Sequence, residues 1–270
     1  MDVSGSRRPD PRWSLITVTY NSADRLREYW SGFRADDRVE WIVVDNASTD
    51  GTVEFARSLG AQVIQLDENR GFGAANNVGF ASARGEYTAF VNPDVAADVA
   101  NLSVLERLIG DRHLLVSPQL VNDDGSLQPN GRGWPYLTDK VLNRLAPERV
   151  QGRYRLSAER DRALTPVVWL TGAAVAGRHE TFELLDGPWD DHFFLYYEDT
   201  DLALRARRAG IPSAVTSQVF WTHGWARETA GRFRLTPWKR EVSSMLKFYA
   251  RYPHLLSPAL HPKAKRGAHG

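Results

Sequence analysis

The feature that most constrains this chain is a repeated unit: a short apolar run, a polar turn rich in Asn, Asp and Ser, then a stretch with helical periodicity. The run WIVVD at 41–45 is its sharpest instance. Four apolar residues in a row cannot alternate between core and water, so both faces of such a strand must be covered, as in a parallel sheet flanked by helices. WSLITVTY (13–20), AQVIQL (61–66) and EYTAFV (86–91) repeat the plan. Helical segments fall between them, at roughly 23–33, at 53–59 before Gly60, and in the small-residue stretch that follows Gly71. Asn21 and Ser22 are suited to cap the first of these helices. This alternation predicts a parallel α/β sheet with right-handed crossovers.

Beyond EYTAFV the spacing predicts a helix over 102–109 and a strand over 114–121. Between Asn122 and Pro166 the pattern breaks into Gly, Pro, Asn and charge, which reads as a long loop, 122–165. VVWLTGAAVAG (167–177) resumes apolar structure. EDTDLALRARRAG (198–210) reads as a helix stopped by glycine, PSAVTSQVFWTHG (212–224) as a strand running into a loop, and TPWKREVSSMLKFYARYP (236–253) as an amphipathic helix.

With 270 residues, 42% hydrophobic and 25% charged, the chain can bury a full core as one domain or one domain with an appendage. The formal net charge of +1 supplies no field that calls for nucleic acid. The lack of cysteine excludes a disulfide framework, thiolate zinc sites and a cysteine nucleophile, and it fits a reducing cytoplasm. Residues 1–12 carry no apolar signal core, and no run approaches about eighteen apolar residues, so the expectation is a soluble or peripheral protein behind a flexible leader.

In open α/β sheets ligands bind outside the C-terminal strand ends. The polar residues placed there are Thr19, Tyr20 and Asn21; Asp45 and Asn46; the stretch from Gly71 to Asn76 and Asn77; and Asn92 with Asp94. Asp45 either faces the crevice or builds an Asx turn with Ser48. Asn92-Pro93-Asp94 either offers a carboxylate to a divalent cation or caps a turn. GFGAAN (71–76) approaches a dinucleotide fingerprint, but Asn76 stands where the last glycine belongs and the strand is the third, which argues against a dehydrogenase. Within FFLYYEDTDLALRARRAG (193–210), three acids at a helix start are explained by the helix dipole alone. Asp201 pairs by spacing with Arg205. Glu198 and Asp199 follow aromatics that could form a partly dry wall and raise a carboxylate pKa toward general-base range.

In their order, TVTYNS, VVDNASTDGT, NRGFGAANNVG, FVNPDV, WLTGAAVAGR and DGPWDDHFFLYYEDTDLALRARRAG resemble the GT-A-fold glycosyltransferases of family 2, particularly their rhamnosyltransferase-like members. The resemblance covers about Trp13 to His223 and implies a mostly parallel, Rossmann-like twisted sheet flanked by helices, with an acceptor-side subregion and a C-terminal helix. It implies a nucleotide-sugar half at 13–121, an acceptor half at 122–235, and a helix with basic tail at 236–270. By resemblance Asp45 contacts the nucleotide base, with Thr19 to Asn21, Asn76 and Asn77 beside it. Asn92-Pro93-Asp94 stands for the family's Asp-x-Asp element, with the first carboxylate missing, so Asp94 with His223 and the diphosphate would hold Mg or Mn. Asp199 becomes the catalytic base with Glu198 its neighbour and second candidate, and Trp169 and Gly172 line the sugar or acceptor pocket.

The activity so implied is inverting transfer, in one displacement, from a nucleoside-diphosphate sugar such as dTDP-rhamnose to a hydroxyl of a glycan, lipid-linked or small-molecule acceptor in cell-wall or natural-product glycan synthesis. Two other readings compete. A nucleotidyltransferase would need a Gly-rich basic loop after the first strand, where TVTYNSADRLRE has no glycine. A binding module without turnover has no evident use for Asp94, Glu198, Asp199 and His223 together. The C-terminal helix, with HPKAKRGAH after it, either packs on the domain or rests on an anionic membrane surface at the inner face of the cell membrane.

Overall fold

The computed structural model describes residues 10–34, 37–224 and 235–260, with backbone alone for 235–239. Most of the expected leader and the basic tail from 261 onward lie outside them. The first half alternates as the apolar runs require: β1 (Trp13–Thr19), α1 (Ala23–Tyr29), β2 (Val39–Asp45), α2 (Thr52–Ser58), β3 (Gln62–Gln65), α3 (Phe72–Ser82) and β4 (Tyr87–Val91). There follow β5 (Val95–Ala96), α4 (Leu102–Ile109) and β6 (Leu115–Val121). Residues 122–165 carry β7 (Gly131–Arg132), α5 (Leu137–Leu145), β8 (Arg155–Leu156) and the start of β9 (Leu164–Val167). The chain continues through β10 (Trp169–Leu170), β11 (Ala174–Arg178), α6 (His179–Glu183), α7 (Glu198–Arg208), β12 (Ser213–His223) and α8 (Leu235–Arg251).

Among the described residues the main sheet has the order β3-β2-β1-β4-β11-β6-β12-β5, with β9 also on β12, and a small second sheet joins β10, β7 and β8. The β3-β2-β1-β4 half is parallel, as is β6 with β12; β11 enters antiparallel between β4 and β6. The period of two along each strand divides the core. Trp13, Leu15, Trp41 and Val43 face one side, where Leu26, Ala56 and Leu105 of the helices cover them. Ile16, Val18, Ile42 and Val44 face the other, against Ala75, Phe182 and Leu202. A third cluster joins Phe193, Tyr197 and Leu204 to Phe248, Tyr249 and Tyr252 of the C-terminal region.

Two local expectations are corrected. Helix α1 stops at Tyr29, short of Phe33, because Trp30 turns in to stack on Trp41, rings 4.4 Å apart, with Phe33 beside both. Its cap is supplied from across the sheet: Ser22 makes no side-chain cap, and the Ala23 amide donates instead to Asp50 Oδ2 at 3.1 Å. The close helix–sheet approach for which Asn76 is unsuited is provided by Gly79, where a Cβ would lie 2.6 Å from Ile16 Cγ2.

Candidate active site

The carboxyl ends of β1, β2 and β4 open into a cleft of about 420 Å³. Its floor is made by two loops laced together. The Asn21 amide donates to Ser48 Oγ at 2.8 Å, while Asn21 Oδ1 accepts from the Thr49 amide at 2.9 Å. Both loops use left-handed backbone at a non-glycine residue, Asn21 (φ 49°) and Ala47 (φ 65°), a conformation found where a site fixes its geometry. Asn46 holds the third loop: its Oδ1 accepts from the Arg70 amide and its Nδ2 donates to the Gly71 carbonyl, both at 3.1 Å.

Of the residues expected to bind the nucleotide sugar, Thr19, Tyr20, Asn21, Asn46, Gly71, Asn92 and Asp94 line this cleft. Three of that set do not, and neither do Trp169, Gly172, Glu198, Asp199 and His223. Asp45 is buried beneath it and its carboxylate accepts from Thr19 Oγ1 (2.8 Å), the Ser48 amide (2.8 Å) and Ser48 Oγ (2.5 Å), the Asx-turn arrangement. Asn76 donates to the Phe72 carbonyl one helical turn back, and Asn77 pairs with both the N–H and the carbonyl of Trp189. Arg25, Asn69, Phe194, Leu195 and Arg240 also line the cleft, and sequence reasoning missed them. The arginines lie on helices whose orientation no local pattern gives; Arg240 stacks 4.0 Å over the Phe194 ring, so α8 reaches the cleft mouth.

Asp94 and His223, 129 positions apart in the numbering, meet through the antiparallel pairing of β12 with β5, with Asp94 Oδ1 3.5 Å from His223 Nε2. Gln128 sets the imidazole. Its Nε2 donates to the His223 carbonyl (2.7 Å) and to Asn122 Oδ1 (2.6 Å), so its Oε1 is the acceptor that faces His223 Nδ1 at 2.7 Å. The proton is thereby assigned to Nδ1, and in the neutral ring the Nε2 lone pair faces a carboxylate oxygen. Two electron-pair donors facing each other, one oriented by an outer hydrogen bond, suit a divalent cation. Among the described residues no third His, Cys, Asp or Glu joins them.

Glu198 and Asp199 open α7 after Tyr196 (φ 68°) and Tyr197 (φ 74°), two consecutive left-handed residues held in place by packing of the aromatic run against α8. The dry wall thus exists, and it acts on Glu198. That side chain is 5% exposed and its Oε2 lacks a hydrogen-bond partner; burial first, and the Asp199 charge second, push its carboxyl well above the usual range. Asp199 keeps three donors: the Gly172 amide to Oδ2 at 3.1 Å, and the Thr200 amide and hydroxyl to Oδ1 at 2.6 and 3.1 Å. Gly172 also lies beside the Phe72 ring, which lines the cleft, whereas Gly172 and Asp199 themselves do not. Trp169 is buried behind, with its indole N–H unpartnered. Asp201 is wholly buried scaffold: it accepts from Arg205 Nε (2.8 Å), Arg251 Nη1 (3.0 Å) and Tyr252 Oη (2.7 Å).

A strand-end cleft of this kind on a mixed sheet with β11 inserted antiparallel is the GT-A arrangement, and the comparisons agree. The profile described as Glycosyl transferase family 2 matches residues 14–169, and the chain belongs to that family. It is a glycosyltransferase of rhamnosyltransferase-like type. The N-acetylglucosaminyl-diphospho-decaprenol L-rhamnosyltransferase of Mycobacterium tuberculosis (strain H37Rv) is 27% identical over 226 residues, 74% of this chain and 73% of that protein. The rhamnosyltransferase WbbL of Escherichia coli (strain K12) is 24% identical over 208 residues, 73% of this chain and 77% of WbbL. Among solved structures, the fold is similar to the mannosyltransferase PcManGT of Pyrobaculum calidifontis in complex with GDP-Man and Mn2+, with TM-score 0.60 and 20% identity over 93% of this chain and 68% of that one. It is also similar to S. aureus TarS in complex with UDP-GlcNAc, with TM-score 0.61 and 18% identity over 92% and 71%.

Proposed function

We propose that the protein is an inverting glycosyltransferase that moves a sugar, rhamnose from dTDP-rhamnose being the first choice, onto a hydroxyl of a lipid-linked glycan acceptor. The observation that carries this is the placement of the Gly172–Asp199 hydrogen bond beside Phe72, a residue that lines the strand-end cleft. The cleft takes the nucleoside diphosphate, with Arg25 and Arg240 available to its phosphates. Asp94 and His223 would hold a divalent cation. When bound, that ion neutralises charge growing on the diphosphate. Asp199 accepts the proton of the acceptor hydroxyl as its oxygen bonds to the anomeric carbon. The bond from that carbon to the diphosphate oxygen breaks, its electron pair leaves with the nucleoside diphosphate, and one displacement inverts the centre. The rhamnose choice is supported by the names of the mycobacterial and E. coli relatives, and the lipid-linked acceptor by the mycobacterial one.

A lipid-linked acceptor places the enzyme at a membrane surface. No helix among the described residues is long and apolar enough to cross one. Exposed apolar residues on α5 (Val141, Leu145) and α8 (Val242, Leu246), two helices joined by the Arg144–Glu241 ion pair at 3.2 Å, support peripheral contact. The deciding experiment measures product formation from dTDP-rhamnose and from UDP-sugars, with and without Mg or Mn, for the wild type and Asp199→Asn. Transfer from dTDP-rhamnose that Asp199→Asn nearly abolishes, with donor binding kept within a few-fold, is expected. Ordinary turnover by that variant removes Asp199 as the base.

A further inference from the structure

The donor cleft and the proposed base come together at Phe72, the first residue of α3. Its side chain lines the cleft, and a Cβ on Gly172 would stand 3.6 Å from its Cε1, 3.8 Å from its Cζ and 3.5 Å from the Asp199 Cβ. Asn92, another cleft residue, donates its amide to the Ala173 carbonyl at 2.9 Å, so the segment that carries Gly172 borders the cleft at two points. Phe72 is held from both ends. Its amide donates to the Phe194 carbonyl at 2.9 Å, and its ring stands nearly perpendicular to that of Trp189, with centroids 5.2 Å apart and planes at 79°. Trp189 is pinned in turn by Asn77, which accepts from its amide at 3.2 Å and donates to its carbonyl at 2.7 Å. Phe72 is thus half-buried, with one side packed on the core and the other open to the cleft.

In a single displacement the anomeric carbon lies between the diphosphate oxygen it leaves and the acceptor oxygen it joins. With the diphosphate in the cleft and the acceptor hydroxyl at Asp199, a pyranose between them lies against Phe72. The cleft's other phenylalanine, Phe194, already carries Arg240 4.0 Å over its ring. A phenyl face attracts C–H bonds and supplies no hydrogen-bond partner. A hydroxyl pressed on it gives up water without replacement, whereas a methyl group buries apolar surface. We propose that Phe72 is the seat of the transferred sugar, and that it selects as donor a 6-deoxyhexose, with a methyl group where an ordinary hexose carries CH2OH. This deepens the proposed transfer and rests on Asp199 as the base. An apolar site rejects an analogue that only adds a hydroxyl by no more than about 10²-fold, so the preference expected here is roughly 10- to 100-fold.

The test uses two matched donor pairs, dTDP-rhamnose with its 6-hydroxyl counterpart dTDP-L-mannose, and UDP-6-deoxyglucose with UDP-glucose. Calorimetric titration of the full-length protein gives the affinity for each donor and for bare dTDP and UDP, in the wild type, Phe72→Ala and Phe72→His. The wild type is expected to bind the 6-deoxy member of the pair it uses more tightly, and both variants to lose that preference. Phe72→His keeps a ring against Trp189 while giving the hydroxyl a partner, so it reports on the seat even where the alanine variant does not fold. A preference that the folded variants keep, or a wild type that favours the CH2OH donor, overturns the inference. So does an equal loss of affinity for the bare nucleotide and for the donor, which makes Phe72 part of the nucleotide wall alone. If the UDP pair shows the preference and the dTDP pair does not bind, the rhamnose choice falls and Phe72 stands. Ordinary turnover by Asp199→Asn removes the base assignment instead, while the donor comparison still decides Phe72.

Discussion

At Glu198 and Asp199 the surroundings of two adjacent carboxylates differ in one respect that matters for chemistry. Asp199 receives donors from Gly172 and Thr200, whereas Glu198 is buried with an unpartnered oxygen and its pKa raised by that burial. A protonated Glu198 is mimicked by an amide, so Glu198→Gln is expected to lower kcat less than ten-fold, against about 10²- to 10⁴-fold for Asp199→Asn. Steady-state kinetics on the two variants decides between them, and the reverse ranking exchanges their roles. Helix-dipole stabilisation by itself accounts for all three acids of EDTD equally; spacing to Arg205 set Asp201 apart, and only the family resemblance singled out Asp199, with Glu198 as second candidate.

At the scale of elements, glycine and ion-pair positions hold the loops that frame the cleft. Gly71 (φ 89°) begins α3, and a Cβ there would lie 2.4 Å from the Phe194 carbonyl oxygen. Gly71→Ala is therefore expected to destabilise by about 1–3 kcal/mol, read by urea unfolding, and to weaken donor binding. The sequence placed this glycine at a ligand-binding strand end; the neighbour that requires it is the protein's own Phe194. Arg205 joins α7 to the 185–188 turn through the carbonyls of Leu185, Gly187 and Pro188 as well as to Asp201. Arg205→Met should remove about 2–3 kcal/mol in the same assay, since hydrogen bonds to a charged group are lost. Tyr252 and Arg251 also meet Asp201, so that loss includes looser docking of α8.

For the whole molecule, the consequence of α5 and α8 lying together is an apolar face, with Leu145 76% and Leu246 64% exposed. If that face meets lipid, the wild type floats with vesicles containing anionic phospholipid, and Leu145→Glu with Leu246→Glu stays in the soluble fraction. Equal flotation of both proteins removes this face from membrane contact. Transfer to a water-soluble acceptor should survive the double substitution, since neither residue lines the cleft.

The sequence by itself determined the alternating α/β half, the strand ends where polar residues gather, and the Asp201–Arg205 pair. These follow from periodicities of 2 and 3.6 and from local spacing, which a chain carries in its order of residues. Tertiary structure alone decided that Asp45, Asn76 and Asn77 brace the site from beneath while Arg25 and Arg240 enter it. It also decided that Gln128 orients His223 toward Asp94, and that Lys140 sits over the Tyr197 ring. Those placements depend on elements far apart in the chain, crossing in directions set by how the two faces of the sheet and the aromatic cluster pack, and no local pattern encodes such directions.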